Sequence, residues 1–164
     1  MTREYGFCDA IVQRFTVTKG VKYMSEENKA LARRFLQMFE LGEPNMAEEI
    51  VAADYYNHDA PDPSIGLEGI KTAVTNFKKA FPDAQVKIAF QLTEGDKVVT
   101  RYTWRGTHQG EYFGIPATGK PVNWNVMVAF RIDDGKICEA WINYDLLGVM
   151  QQLGVAPIPG QSGS

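Results

Sequence analysis

The sequence predicts an α+β fold in which three helices pack on the concave side of a curled antiparallel sheet, forming a cone with a pocket at its mouth. Three observations predict it. Apolar residues recur at helical spacing from Leu31 to Phe81, the period changes to two from Ala84 onward, and the alternating runs are long and joined by glycine-containing turns. Helices first and strands after is the order of an α+β domain, with the helices gathered on one side of the sheet. Long strands twist and curl, so helices laid into the hollow leave a cavity where the layers part.

The elements follow in order. Residues 1–23 show no sustained period and read as an N-terminal extension, either an added arm or a stretch ahead of a true start at Met24. Ser25 then stands as an N-cap, with Glu26 and Glu27 in the first turn where they complement the helix dipole. Leu31, Phe35, Met38 and Phe39 carry this first helix to Gly42, and Asn45 caps a second, short one through Met46, Ile50 and Val51. Asp54 to Asp59 breaks the helical pattern, and Pro61 and Pro63 make the next residues a loop. Leu67, Ile70, Val74, Phe77 and Phe81 form the stripe of a third helix, stopped by Pro82.

In the second half, Ala84, Val86, Ile88, Phe90 and Leu92 alternate with polar residues, Glu94-Gly95-Asp96 turns, and the return strand to Thr107 puts Val98, Tyr102 and Trp104 on one face. Arg105 to Pro121, with four glycines and two prolines, cannot continue as a central strand and forms a corner carrying His108, Glu111 and Tyr112. Val122, Trp124, Val126, Val128, Phe130 and Ile132 alternate again, Asp133-Asp134-Gly135-Lys136 turns, and Ile137 to Asp145 is the last strand. Leu146 to Leu153 supplies a closing helical turn. The domain spans residues 24–156, and 157–164 form a loose tail.

Composition excludes several function classes. A chain of 164 residues with 45% apolar and 23% charged residues is an ordinary single globular domain. No apolar run is long enough to span a bilayer and no secretory signal opens the chain, so a cytoplasmic location without membrane partners is expected. The net charge of -3, with lysines and arginines scattered, gives no footprint for nucleic acid. Cys8 and Cys138 lie in unlike contexts and read as free thiols, and two histidines without repeated spacing argue against a metal site. Neither a phosphate-binding glycine loop nor a serine nucleophile elbow is present.

The candidate catalytic residues are His108, His58 and Asp59. An imidazole with an ordinary pKa of about 6.5 can serve as acid or base near neutrality, although a histidine beside a glycine-rich corner can equally fasten backbone. His58 and Asp59 are neighbours in an extended segment and point apart, which argues against a direct pair. Asn57 can either donate its amide to a ligand oxygen or hold the irregular backbone after Tyr56. Tyr102, Trp104, Trp124, Trp141 and Tyr144 form either an aromatic wall for flat cyclic ligands or ordinary core.

Gly106-Thr107-His108-Gln109-Gly110-Glu111 followed by Gly114-Ile115-Pro116-Ala117-Thr118-Gly119 resembles the signature of the SnoaL-like polyketide cyclases, or ester cyclases. Tyr56-Asn57-His58-Asp59-Ala60, Ala80-Phe81-Pro82-Asp83, Asp134-Gly135-Lys136-Ile137 and Gln151-Gln152-Leu153-Gly154 continue the resemblance over about residues 25–155. It implies a cone of the nuclear-transport-factor-like, cystatin-like type, a homodimer, and a deep apolar pocket in which polyketide rings are closed by an intramolecular aldol reaction without metal or organic cofactor. It also implies an acid late in the last strand as general base, with a polar partner on the strand before. Those positions fall on Ile142 and Val128, and an aliphatic side chain accepts no proton.

Three readings therefore stand. The first is a cofactor-independent cyclase or isomerase acting on an apolar cyclic or polyketide-like molecule, with relocated acid–base groups. The second is a pocket protein that binds a hydrophobic metabolite without chemistry, its cavity lined by Val128 and Ile142. The third is an interaction module using the convex sheet face, where a two-fold dimer contact is also expected.

Overall fold

The computed structural model describes residues 25–60 and 66–157; the N-terminal extension, the middle of the proline loop and the end of the tail lie outside them. Helix α1 (25–41) is followed by a 3-10 turn, Pro44–Met46, and a one-turn α2, Ala47–Ile50. Strand β1 (Val51–Asn57), α3 (Gly66–Ala80), β2 (Gln85–Glu94), β3 (Lys97–Thr107), β4 (Pro121–Asp133), β5 (Lys136–Tyr144) and α4 (Leu146–Leu153) complete the order. The five strands form one sheet in the order β1-β5-β4-β3-β2. Among the described residues no helix is long and apolar enough to cross a membrane.

The helices and the long hairpins match the α+β expectation, with three local differences. Ser25 lies inside α1, where its hydroxyl meets that of Thr93 on β2. Met46, not Asn45, occupies the N-cap position of α2, without a side-chain capping bond. The residues around Tyr55 form β1, which pairs in parallel with β5, so the sheet is mixed. The apolar spacing of this stretch suits neither period cleanly, because its register on β5 is interrupted between Val51 and Tyr56.

The β3–β4 pair is the centre of the sheet and shows why the alternation is so regular. Val98, Tyr102 and Trp104 of β3 and all six alternating residues from Val122 to Ile132 of β4 are buried on the inner face. The turns obey the same chemistry: Asp134 and Gly135 have φ of 46° and 69°, as a two-residue hairpin turn of the right twist requires. On β2 the alternation fails. A bulge between Ile88 and Phe90 shifts the register, so Phe90 and Leu92 face outward, 46% and 62% exposed, against the expectation that they continue the inner stripe. Gln91 takes the inner side instead, donating to Thr100 Oγ1 at 3.1 Å and to the Lys29 carbonyl at 3.2 Å, which satisfies a fully buried threonine.

Helix α1 fills the hollow with Phe35, whose ring lies 4.8 Å from that of Phe130. Helix α3 brings Ile70, Val74 and Phe77 against the same face. Cys138 is a buried free thiol whose Sγ donates to the Arg131 carbonyl at 3.2 Å. Helix α4 is capped by Asp145, which accepts from Gly148 N–H at 2.8 Å and so is spent on structure. Its Gln152 bonds both the N–H and the carbonyl of Asn123, at 2.9 Å each, docking the helix on β4.

The corner after β3 returns to the end of α3. The N–H groups of Gln109 and Gly110 both donate to the Ala80 carbonyl, at 2.8 and 3.2 Å. A Cβ on Gly110 would stand 2.4 Å from the Lys79 carbonyl oxygen, so only glycine allows this approach. Gly110→Ala is expected to destabilise the fold by about 1–3 kcal/mol, read as a lower urea midpoint.

Candidate functional site

The helices and the sheet part at one end to leave a cavity of about 680 Å³. Phe77, Trp104, Trp124 and Val126 wall its depth, and the ring contacts Phe77–Trp104 (4.9 Å) and Tyr102–Trp104 (6.1 Å, edge-on) make that wall continuous. Strand parity explains the selection. Tyr102 and Trp104 alternate on β3, Trp124 and Val126 on β4, and Ile142 and Tyr144 on β5.

Of the sequence candidates, Asn57, Asp59, Tyr102, Trp104, Trp124, Ile142 and Tyr144 line this cavity. Four others do not. His58 lies on the opposite face of the sheet, stacked on Trp141 with ring centroids 4.4 Å apart and bonded to Glu139 Oε2 at 2.8 Å. Trp141 faces outward because it is adjacent in sequence to the inward Ile142. Val128 is fully buried and does not line the cavity, and Val126 takes the wall position. His108 is fully buried in the corner.

His108 fastens that corner. Its backbone N–H donates to the Lys120 carbonyl (2.9 Å), its carbonyl accepts from Gly119 N–H (2.8 Å), and Nδ1 accepts from Thr118 N–H (3.3 Å) with Thr118 Oγ1 at 3.1 Å. Nε2 is buried without a hydrogen-bond partner among the described residues. Burial lowers the imidazole pKa from its ordinary 6.5, because the charged form would lose its solvation.

Asp59 behaves differently. One carboxylate oxygen accepts the Ile142 N–H at 2.7 Å, so this aspartate is held against β5 at the cavity. Asn57 contributes its side-chain oxygen to Asp59 N–H at 3.1 Å. Its amide N–H groups donate to no described residue. Asn57 thus holds the local backbone from a position on the cavity wall.

Residues beyond the sequence candidates complete the site, Glu111 and Tyr112 among them having been marked as polar groups on the corner. Tyr55 and Tyr112 join Tyr102 and Tyr144 on the wall. Desolvation raises the pKa of all four phenols, and proximity of Tyr144 and Tyr102 raises that of Tyr112 further. They stay protonated and act as donors near neutral pH. The Tyr55 hydroxyl is buried without a hydrogen-bond partner among the described residues. Asn76 and Lys79 come from α3, and Glu111 and Phe113 from the corner. The signal for Asn76 was present in the sequence: it is a polar residue beside the apolar stripe, one position before Phe77. Tyr55 was hidden because β1 was not read as a strand.

Within the corner, Tyr112 and Ile115 exchange both backbone hydrogen bonds, at 3.0 and 2.9 Å, around Phe113 and Gly114 at φ 49° and 74°. This is a small two-residue flap at the cavity rim. Its base is fixed by Tyr112 against Phe81, with ring centroids 4.9 Å apart. Among the described residues no group of three or more His, Cys, Asp or Glu side chains is placed to hold a metal ion.

The model of the SnoaL-like polyketide cyclases matches residues 29–153, which include every strand and the whole cavity. The chain belongs to this family. It is 31% identical over 128 residues to the aklanonic acid methyl ester cyclase DnrD of Streptomyces peucetius, covering 76% of this chain and 88% of that protein. A second aklanonic acid methyl ester cyclase, DauD of Streptomyces sp. strain C5, is also 31% identical, over 76% of this chain and 80% of its own. Among solved structures, TsrD of Streptomyces laurentii superposes with a TM-score of 0.74 at 28% identity, over 79% of this chain and 96% of that one.

Within this SnoaL-like fold, Val128 and Ile142, the positions where the resemblance led one to expect the polar partner and the base, are direct cross-strand partners on β4 and β5. The buried histidine gives a pH prediction. Its depressed pKa means that the unfolded chain binds more protons just below pH 6.5, so its contribution is complete above that value and declines as pH falls through it. Urea midpoints measured from about pH 7.5 to 5.5 are expected to fall more steeply for the native chain than for His108→Gln.

Proposed function

We propose that this protein is a cyclase- or isomerase-type enzyme that acts by acid–base chemistry, without an organic cofactor, on an apolar cyclic or polyketide-like ketone. The observation that carries the reading is Asp59: its carboxylate, bonded to Ile142 N–H, reaches the strand position from which the resemblance expects the base. The carboxylate comes from the loop after β1, and the aliphatic residue at that position keeps the cavity apolar behind it.

In the proposed reaction Asp59 removes a proton from the carbon beside a ketone, and the enolate oxygen is stabilised by the Asn57 amide and a neutral tyrosine hydroxyl. The enolate carbon forms a bond to a second carbonyl of the same molecule, whose C=O π-bond breaks. The resulting alkoxide takes a proton from a tyrosine, and the proton held by Asp59 restores that phenol through the product or water. The net change is an isomerisation. Tyr55, on the wall with a buried hydroxyl that has no partner among the described residues, supports a donor role toward a ligand oxygen.

Aklanonic acid methyl ester is the substrate in the names of the two relatives and is the first to test here. Asp59→Asn is expected to lower kcat by about 10²–10⁴-fold while the dissociation constant changes little, as followed by chromatography of the product and by equilibrium dialysis. The second reading, binding without chemistry, rests on the aliphatic Ile142 and Val128 at the positions where the resemblance expects the base and its partner. A wild-type protein that binds this ester tightly and returns it unchanged would favour it.

The expected two-fold contact through the outer sheet face remains part of the proposal. Tyr56, Phe90, Leu92 and Met127 are large and exposed, which supports it. Leu92→Glu is expected to convert a dimer to a monomer in sedimentation equilibrium, with the fold retained by circular dichroism.

A further inference from the structure

Phe113 is the bulky residue in the wrong conformation. It is half exposed, and it occupies the first central position of the flap turn at φ 49°, where asparagine, aspartate or glycine is at ease. A β-carbon and a large ring are disfavoured in this left-handed region, so the turn itself gives no reason for phenylalanine here. Gly114 beside it meets no atom within 4 Å of a built Cβ, so crowding does not dictate the choice either.

The ring has a specific relation to the cavity. Phe113 and Tyr144 both line it, and their rings are 10° from parallel with centroids 6.4 Å apart. Rings in face contact stand about 3.5–4.0 Å apart plane to plane. Near-parallel rings at this centroid distance are laterally offset or parted, so each leaves part of its face uncovered by the other. Both rings thus present aromatic surface at the rim in nearly the same orientation. Tyr144 is set by β5, and Phe113 is braced by Tyr112, whose ring centroid is 4.4 Å away.

We propose that Phe113 is a specificity-determining residue whose ring, paired with Tyr144, grips a flat unsaturated ring of the ligand at the cavity rim. A planar ring between two parallel faces needs about 7 Å from plane to plane, so the flap must move outward to admit it. A puckered saturated ring is thicker and gains no stacking. This rests on the reading that the cavity takes apolar cyclic ligands, and it adds selection by flatness.

The test is equilibrium dialysis of the full chain with 1-hydroxyanthraquinone, which is flat, and cyclododecanone, which is not. Phe113→Ala is expected to weaken 1-hydroxyanthraquinone binding about tenfold, with cyclododecanone changed by less than about twofold, and Phe113→Trp is expected to restore the flat ligand. Phe113→Asn, suited to the turn, is expected to unfold at higher urea concentration than the native chain while losing the flat ligand. Equal losses for both ligands in Phe113→Ala, or no loss for the flat one, would overturn the clamp and leave the cavity reading standing. Failure of the native protein to bind either compound would overturn both. Loss of turnover in Asp59→Asn does not enter this readout, since binding alone is measured.

Discussion

One carbonyl group ties the two halves of this molecule together. Ala80 ends α3, and its oxygen accepts two successive N–H groups from the corner that leaves β3. Helix and sheet are thereby joined at the point where the cavity opens, in a space that admits no side chain at Gly110. Phe81, one residue on, meets His108, Tyr112 and Trp124 through its ring. The rim flap, the aromatic wall and the buried histidine are all placed by this joint. A histidine in the corner is thus explained by backbone needs, with its own N–H, carbonyl and Nδ1 all engaged there.

The second constraint is the pleat. Neighbouring residues on β5 divide between two environments: Ile142 and Tyr144 belong to the cavity, while Trp141 lies outside under His58. On that outer face Glu139 bonds both His58 and Arg131, and these partners hold its carboxyl below the usual range. The charged network of Glu139 with its two partners lies outside the sheet, while the cavity sets its phenols, the amides of Asn57 and Asn76, the carboxylates of Asp59 and Glu111 and the Lys79 ammonium against apolar walls. Such an interior raises the worth of each hydrogen bond it makes.

How much of this the sequence disclosed follows from which signals are local. The inner faces of β3 and β4 were legible because alternation over ten or more residues survives any detail of packing, and the Asp134-Gly135 turn announced its own geometry. β1 was not legible: it pairs with a strand some eighty residues away, and its short, interrupted ladder leaves no period. The bulge in β2 erased the meaning of Phe90 and Leu92 in the same way, since one extra residue reverses every face beyond it. Of the site, Tyr102, Trp104 and Trp124 followed from parity, Tyr144 from its aromatic chemistry and Ile142 from the resemblance. His58 and His108 were drawn in by their chemistry alone, and only tertiary contacts tell that one is outside the sheet and the other is enclosed in a corner. Asn57 and Asp59 were named from the motif, while the reason for their position, a bond to β5, is a long-range contact.

β1 is an edge strand, paired on one side only, and it delivers Tyr55, Asn57 and Asp59. Most of the rest of the cavity is carried by the doubly paired strands β3, β4 and β5 and by helices α1 and α3. The proposed acid–base groups after β1 and most of the apolar envelope thus sit on parts of the scaffold with different local stabilities. Fraying of one edge would disarm the chamber without emptying it of shape, and substitutions along that edge could change which chemistry the chamber performs while its walls stay as they are.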